Sequence, residues 1–448
     1  MSSHQMKITA DIFAAHLKCP MKCWLRTTDE PFSGSAYTEW ARTQSHSYRT
    51  TETELLVSQS SNNEFAFSPS LCNLESEKWR TASSILVQTQ TDNCILESEL
   101  HAISRVPATI KSHPDDLTPI RFIFTNKLGT LDKLLLGFDA FVLSKSIGRS
   151  VRVGKIIHGD DSGTLRVSVT ALINTIQKHI EKITALLSNP TPPELVLNRH
   201  CPECEFRDSC HQKALKSDDL SLLSGMAVKD RAKHRSKGIF SVTQLSFTFR
   251  PRRKKKCLAN KPFKYDHALK ALAIRENKIH IAGNPSIGIT EGQVYLDVEG
   301  TPDQDFYYLI GLRVKENNSD KYIQHSLWAN NFSDERNIWL SFLKIISKVE
   351  NPRLVHYGSY ETTFLNRMRE RYADSAIDVE FQEKIISSAV NLLSIIYGQV
   401  YFPTFSNGLK EIARYLGYMW SDNAASGLNT LILRSNWERT NSISNSLM

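Results

Sequence analysis

The 448-residue sequence lacks any run close to the ~20 consecutive apolar residues that a membrane-spanning helix needs. Its start, MSSHQMKITADIFAAHLKCP, lacks the apolar core and cleavage site of a secretory signal peptide. It also lacks a G-x4-G-K-S/T phosphate loop, which excludes a P-loop nucleotide site within these residues. These absences exclude a membrane-spanning helix and favour a cytoplasmic protein with no membrane partner.

Composition indicates a globular protein with more than one domain. Hydrophobic residues make up 41% of the chain and charged residues 23%, which are ordinary values for a folded soluble chain. The length suits two or three domains. The net charge of +8 favours a polyanionic partner, although net charge says nothing about the fold.

Cysteine is scarce and unevenly placed, with eight in the chain. Cys201, Cys204 and Cys210 form the C-x2-C-x5-C cluster CPECEFRDSC, and Cys19 and Cys23 lie far upstream. In a cytoplasmic chain such a cluster binds metal more often than it forms disulfides. Three clustered thiolates and one distant thiolate would hold either tetrahedral zinc or a 4Fe–4S cluster.

The stretch from Val294 to Leu312, VYLDVEGTPDQDFYYLIGL, is typical of a strand, a turn and a second strand. Strand side chains alternate between faces, so Asp297 and Glu299 are expected on one face. Two carboxylates ~4 Å apart repel by about 4 kcal/mol at an effective dielectric constant of about 20. A divalent cation between them would relieve that repulsion, whereas two solvated acids at a strand end would need none.

This stretch resembles the first motif of the ribonuclease H-like (DEDD, DnaQ-type) exonucleases. The closest likeness is to a branch that follows RecB-like domains in bacterial nucleases. The resemblance continues through LVHYGSYETTFLNRM (Leu354 to Met368) and YFPTFSNGLKEIARYLGYMW (Tyr401 to Trp420). It implies that Asp297, Glu299 and Glu361 are catalytic and hold Mg²⁺ or Mn²⁺.

The resemblance implies 3′–5′ exonuclease chemistry on DNA or RNA, with DNA favoured, in DNA repair, recombination or defence. The family places a fourth acid on a later helix, after the segment ILRSNWE (Ile432 to Glu438). Here that segment is followed by RTNSISNSLM, which contains no acid. We therefore expect the last catalytic helix to be missing and cleavage to be slow or absent. The alternative is an inactive nucleic-acid-binding relative.

The cysteines resemble the iron–sulfur clasp of RecB-like nucleases, in which one early cysteine joins a late C-x2-C-x5-C. Cys19, which Pro20 follows, is the fourth ligand that this resemblance implies, with Cys23 as the alternate. Zinc remains the other metal that the four thiolates could hold. The resemblance also implies a restriction-endonuclease-type α/β domain and a helicase as a partner.

The catalytic motifs of a RecB-like domain are not evident. Its strands are predicted at Cys94–Val106 and Thr118–Lys127 and its helix at Thr130–Ile147, but Ile-Arg-Phe stands where Glu-x-Lys is expected. Glu97 and Glu99 are candidates for remnant acids. Helical spacing of the apolar residues around Asp139 predicts that Asp139 is exposed. The domain is interpreted as a scaffold that has lost its catalytic acids.

A basic run follows a region predicted to form short helices with a turn before Thr243. Two aromatic residues, Phe247 and Phe249, precede it. The basic residues are Arg250, Arg252, Arg253, Lys254, Lys255 and Lys256. Basic residues beside aromatics suit nucleic-acid binding, but a charge run is also typical of a solvated linker.

The sequence thus predicts an α/β protein in three parts. Residues 1–215 are expected to form the RecB-like domain with the cysteine clasp. Residues 216–290 are expected to form a helical connector, and residues 291–448 a ribonuclease H-like mixed sheet with flanking helices.

Overall fold

The computed structural model describes most of the chain, which divides into two compact units, residues 1–212 and 213–448. The described residues are 6–28, 30, 34–61, 64–70, 79–107, 114–251, 265–288, 292–315, 321–373, 379–420 and 426–446. In these ranges, no helix combines the length and the apolar character that crossing a membrane requires.

The first unit is built on a mixed β-sheet. Its strands are β1 (Lys7–Thr9), β2 (Phe65–Phe67), β3 (Thr81–Gln90), β4 (Ile95–Val106), β5 (Asp116–Ile123), β6 (Val153–His158) and β7 (Gly163–Ser168). The hydrogen-bonded order is β2-β3-β4-β5-β6-β7, and β1 pairs with β4 in parallel. Strand β4 is antiparallel to β3 and β5, whereas β5 and β6 are parallel. This unit is therefore α/β, as the sequence predicts.

Helices surround this sheet. They are α1 (Ala10–Lys18), α2 (Pro20–Leu25), α3 (Ala36–Ser58), α4 (Thr130–Ser146), α5 (Ile173–Leu187) and α6 (Arg207–Lys216). In α5 the buried side chains recur at Ile176, Ile180 and Ile183, which is the spacing of one helix face. Helix α4 differs, because every residue from Leu134 to Leu143 is buried. A helix that is buried nearly all round forms part of the core itself.

Three elements predicted in the first unit are confirmed with shifted ends. The strand expected at Cys94–Val106 is β4, and the strand expected at Thr118–Lys127 is β5. The helix expected at Thr130–Ile147 is α4. It begins after Gly129, whose N–H donates to Asp132 Oδ2 at 2.8 Å, a contact that satisfies a backbone donor at the helix start.

The predicted exposure of Asp139 is wrong, because this residue is only 1% exposed. Its two carboxylate oxygens accept hydrogen bonds from Arg121 Nε and Nη2, both at 2.8 Å. Ser98 Oγ donates to Asp139 Oδ1 at 2.5 Å. The prediction failed because α4 is buried on its polar side too, where Arg121 on β5 supplies the neutralising charge. A buried carboxylate is tolerated when it is paired in this way.

The two candidate remnant acids lie on β4, and each has a cation partner. Lys7 Nζ lies 2.8 Å from Glu97 Oε2. Arg49 Nη2 donates to Glu99 Oε1. These contacts join β1 and α3 to β4 and give both acids a structural role.

The second unit contains a mixed sheet and a separate short strand pair. Its strands are β8 (His280–Ile281), β9 (Gln293–Thr301), β10 (Phe306–Lys315), β11 (Tyr322–Trp328), β12 (Arg353–His356), β13 (Val390–Asn391) and β14 (Val400–Tyr401). The sheet order is β11-β10-β9-β12-β13, and β14 pairs with β8. Strand β10 is antiparallel to β9 and β11, while β12 is parallel to β9 and β13. The strand, turn and strand predicted at Val294–Leu312 are thereby confirmed.

The helices of the second unit are α7 (Val228–Arg235), α8 (Val242–Ser246), α9 (His267–Glu276), α10 (Glu335–Ile346), α11 (Tyr360–Arg371), α12 (Val379–Ser387), α13 (Leu392–Ile396), α14 (Leu409–Tyr415) and α15 (Gly427–Ser446). Of these, α10, α11, α12 and α15 contact the sheet, and α10 and α11 contribute an aromatic core. Trp339 and Phe342 of α10 stack with ring centroids 5.1 Å apart. Phe364 of α11 meets Trp339 edge to face at 5.8 Å. Phe364 and Leu365 are fully buried and form the inner face of α11.

The region after α6 is less helical than the sequence suggests. The helical segment expected from Leu220 is only a 3-10 turn, Leu220–Leu222. The turn predicted before Thr243 is confirmed, with Gly238 in the left-handed region at φ +77°. Helix α8 then begins at a capping box formed by Ser241 and Gln244, which satisfies two backbone donors at its start.

Candidate functional site

Asp297 and Glu299 lie on β9, the central strand of the second sheet. Leu296 and Val298 between and beside them are buried, at 5% and 4% exposure. The two acids therefore share the opposite face of the strand, as the alternation of side chains predicts. Asp297 keeps part of its surface in solvent, so the face is accessible.

Glu361 reaches this face from the helix that follows β12. Strands β12 and β9 are parallel, so their carboxyl ends meet at one sheet edge, where ligands of α/β sheets bind. Burial raises the pKa of Asp297, and the negative charge of Glu361 raises it further. Burial and then the charge of Asp297 raise the pKa of Glu299, to which Glu361 also contributes. Glu361 thus disfavours the ionisation of both Asp297 and Glu299.

One carboxylate oxygen of Glu361 has no hydrogen-bond donor among the described residues. Oε2 is buried and accepts no hydrogen bond from the described part of the chain. His356 Nδ1 lies 3.6 Å away. A buried acceptor left without a donor costs about 1–3 kcal/mol, and more if it is charged. Carboxylate oxygens are ligands that Mg²⁺ and Mn²⁺ prefer, so the residues present fit such an ion.

Gly300 permits the close approach of α11 to β9. A Cβ added at this position would lie 2.6 Å from Phe306 O and 2.7 Å from Tyr360 Oη. Both distances are too short for a real side chain. Glycine at position 300 therefore leaves room beside β9 for the Tyr360 hydroxyl at the start of α11.

Lys410 is a candidate site residue that the sequence analysis did not single out. It lies on α14, and its Nζ is 5.4 Å from the centre of the Trp420 ring. Burial raises the pKa of Asp297 and Glu299, but the positive charge of Lys410 opposes that rise at both. Lys410 falls within the matched stretch Tyr401–Trp420, yet a lysine near a helix start is typical of solvated faces. Sequence alone therefore gave little reason to choose it.

A buried lysine fixes the loop before α14. Lys270 of α9 is 1% exposed, and burial lowers its pKa to about 8. Its Nζ donates to four oxygens of this loop: Phe402 O at 2.9 Å, Thr404 Oγ1 at 3.2 Å, Ser406 O at 3.3 Å and Asn407 Oδ1 at 3.1 Å. Tyr357, just after β12, donates its hydroxyl to Asn407 O at 2.6 Å. These contacts hold the start of α14, and with it Lys410, beside the end of β12.

Helix α15 carries an acid that is already paired. Arg434 is 2% exposed, and its guanidinium lies 4.8 Å from the centre of the Tyr308 ring. Arg434 Nε donates to Glu438 Oε1 at 2.6 Å. Because Glu438 is engaged in this ion pair, we assign it no catalytic part.

Cys19, Cys201, Cys204 and Cys210 line one cavity in the first unit. Cys23, the alternate ligand, instead packs in the main apolar core of that unit. Burial raises the pKa of Cys201 and Cys204. Cys19 adds to the rise at Cys201. A bound metal would offset this effect, since it binds the deprotonated thiol.

Neither group of predicted ligands is already arranged as a metal site. Within the ranges that the structure describes, no set of three or more His, Cys, Asp or Glu side chains is placed to hold a metal ion. For the carboxylates this agrees with their mutual repulsion, which only a cation would relieve. The cysteines share a cavity but are not at ligand distances from one point.

The predicted basic run falls largely outside the described residues. Arg252, Arg253, Lys254, Lys255 and Lys256 lie in the segment 252–264, which the structure does not describe. Arg250 is described, and its Nη1 donates to the backbone oxygens of Phe247 and Phe249, both at 3.3 Å. The nucleic-acid contact assigned to this run remains a prediction.

Comparison with known proteins supports the assignment of the second sheet. Residues 294–446 match the family model RNase_H_2 of the RNase H superfamily. The carboxyl-terminal part of the chain is thus an RNase H-like domain, and the match includes the strand and helix that carry all three acids.

The other comparisons add less. The comparison with curated proteins found no match. Among solved structures, "Crystal structure of SSO0001" is similar at 14% sequence identity, covering 48% of this chain and 89% of that chain, with a TM-score of 0.26. A TM-score that low supports no argument about fold or function, so the RecB-like assignment of the first unit remains a prediction.

Proposed function

We propose that the RNase H-like domain is a metal-dependent nuclease of the 3′–5′ exonuclease type, with Asp297, Glu299 and Glu361 as its catalytic acids. The observation that supports it is the position of Glu361, whose negative charge raises the pKa of both acids on β9, Asp297 and Glu299. Acids with raised pKa values at a sheet edge are candidates for a functional site. The RNase H superfamily match supports the same class of activity.

In this proposal, Mg²⁺ or Mn²⁺ would activate a water and stabilise the leaving oxygen of a phosphodiester. The chain's own residues bind and position. Asp297 and Glu299 offer carboxylate oxygens from one strand face, and Glu361 offers its unsatisfied Oε2. Lys410 supplies a positive charge beside them, which suits a substrate phosphate.

Labelled oligonucleotides incubated with the full chain and Mn²⁺ test this proposal. We expect shortening of single- or double-stranded DNA or RNA that chelation stops and that Asp297→Asn abolishes. Asp303→Asn changes an acid in the turn after β9 and serves as the matched control, which should keep activity. Cleavage that survives Asp297→Asn would place the chemistry elsewhere.

For the first unit we propose that Cys19, Cys201, Cys204 and Cys210 hold a 4Fe–4S cluster or zinc. The shared cavity supports this assignment. Metal analysis of anaerobically purified chain should give a brown, iron-containing protein for the cluster, or stoichiometric zinc. Absence of both metals would contradict the proposal.

A second candidate is a nucleic-acid-binding protein without catalysis. The observation that favours it is the ion pair of Glu438, the acid of α15, with Arg434, because an acid bound in this way is not available as a further metal ligand. In that case the chain would bind labelled nucleic acid without Mn²⁺-dependent cleavage. Neutralising Arg252, Arg253, Lys254 and Lys255 should then reduce the salt dependence of binding, because each phosphate contact releases about one counterion.

A further inference from the structure

A buried ion cluster lies directly beside the cysteine cavity. Glu205 follows Cys204 and is 3% exposed. Its Oε2 lies 2.7 Å from Lys22 Nζ. Its Oε1 accepts hydrogen bonds from Arg26, with Nη2 at 2.8 Å and Nε at 2.9 Å. The carboxylate is thus bound by two cations, and both of its oxygens are engaged.

This cluster joins two segments that are distant in sequence. Lys22 lies on α2 and Arg26 at its end, and α2 starts immediately after Cys19. Glu205 lies in the segment that carries the other three cysteines, 179 residues after Arg26. A small apolar cluster of Met21, Leu25 and Phe206 packs alongside. The ion cluster therefore fixes the distance between the first cysteine and the later ones.

Basic residues also line the cavity. Lys18, Lys22 and Arg207 lie in its wall together with the cysteines. Glu205 pairs with Lys22 at 2.7 Å and so holds this lysine at the cavity wall.

We infer that Glu205 is a positioning residue for the cysteine cavity: through Lys22 and Arg26 it holds Cys19 against the segment with Cys201, Cys204 and Cys210. This inference rests on the proposed metal function of that cavity. Residues that orient ligands without touching the metal change metal affinity by about 10–100-fold when they are replaced.

The test compares metal loss from Glu205→Gln with that from the native full chain. Each purified protein is mixed with excess chelator, and iron and zinc are followed by elemental analysis of the retained protein. We expect Glu205→Gln to lose metal at least about tenfold faster. The conservative variant Lys22→Arg keeps the cation that pairs with Glu205, so it should lose metal at a rate near that of the native chain. A native rate of loss from Glu205→Gln would overturn the inference.

Glu99→Gln is the matched control, because it breaks another carboxylate–arginine contact in the same unit, that with Arg49, without touching the cavity. It should retain metal at the native rate. Equal acceleration in both variants would indicate general loosening of the unit and would also overturn the inference. If Glu205→Gln does not fold, Arg26→Gln removes the more exposed partner and should give a smaller acceleration in the same direction.

Site-resolved alkylation of the metal-free chain separates this inference from the proposed metal site. Glu205→Gln should raise the alkylation rates of Cys19 and Cys204 several-fold, while Glu99→Gln should not. If the native chain holds no metal, the metal proposal fails, and the alkylation rates still decide whether Glu205 fixes the cavity. Unchanged rates in Glu205→Gln would contradict the positioning role.

Discussion

The two units treat carboxylates in opposite ways. In the first unit, Asp139 is buried against Arg121 and Ser98, so its charge is neutralised and its oxygens are satisfied. In the second unit, the charge of Glu361 raises the pKa of Asp297 and Glu299, and one oxygen of Glu361 has no donor among the described residues. A paired acid stabilises a fold, whereas gathered acids cost stability unless a ligand is present. The comparison therefore separates a carboxylate that stabilises the fold from a group of carboxylates that we propose to bind a cation.

The largest expected effect comes from breaking the pair in the first unit. Asp139→Asn leaves Arg121 buried without a counter-charge, and such a change costs about 3–5 kcal/mol. Urea denaturation of the full chain, followed by a probe in the first unit, measures it. A loss below about 1 kcal/mol would mean that the pair is not a structural element.

Lys270 is a third example of a buried charge, after the paired Asp139 and the acids of the second sheet. Its ammonium group is surrounded by neutral oxygens. Its folded-state pKa is lowered from 10.5 to about 8, so the unfolded state binds more protons between these values. Stability should therefore rise by up to about 3 kcal/mol as pH increases from 8 towards 10.5, and this gain is lost as pH falls back through 8. The difference in unfolding free energy between the native chain and Lys270→Met should therefore rise with pH over the same range. The exposed Lys344→Met is the control, and a flat difference curve for Lys270→Met would refute the assignment.

Removing Asp297, Glu299 or Glu361 should change the stability of the chain in the opposite direction to Asp139→Asn. Asp297→Asn relieves like-charge repulsion in the metal-free chain, so stability should rise by up to about 1 kcal/mol after allowance for solvent screening. The raised pKa of Asp297 implies that this gain appears as pH rises above the ordinary carboxyl range. Thermal unfolding with chelator present measures it. If Asp297→Asn lost as much stability as Asp139→Asn, the carboxylates of the two units would not differ in the way described.

The smallest effect concerns Lys410. Its charge lowers the pKa of Asp297 and Glu299 against the rise that burial causes. Lys410→Met should therefore raise the pKa values of both acids and weaken nucleic-acid binding by a few-fold at low salt, with less effect at high salt. Lys344→Met should change neither quantity. Equal binding losses in the two variants would leave Lys410 without a specific role.

Local pattern was sufficient to place the strand of the acids. Alternation around Asp297 and Glu299 predicts β9, and the helical spacing of the apolar residues around Asp139 predicts α4. Both patterns depend on neighbours in sequence, so a single chain reveals them.

Long-range contacts explain what the sequence did not predict. Asp139 has the helical position of an exposed residue, and its partner Arg121 lies on a strand in another part of the chain. Lys270 and Glu205 likewise gain their roles from segments more than a hundred residues away. Lys410 becomes a site residue only because the loop before it is held beside β12.

The central claim is that the acids of the second unit gather around a divalent cation. Isothermal titration of the full chain with Mn²⁺ tests it most directly, since Mn²⁺ prefers oxygen ligands to the thiolates of the first unit. The account predicts binding that weakens at least about tenfold in Asp297→Asn and Glu361→Gln, by loss of a charged ligand, and remains in Asp303→Asn. Equal Mn²⁺ affinity in the native chain, Asp297→Asn and Glu361→Gln would contradict it.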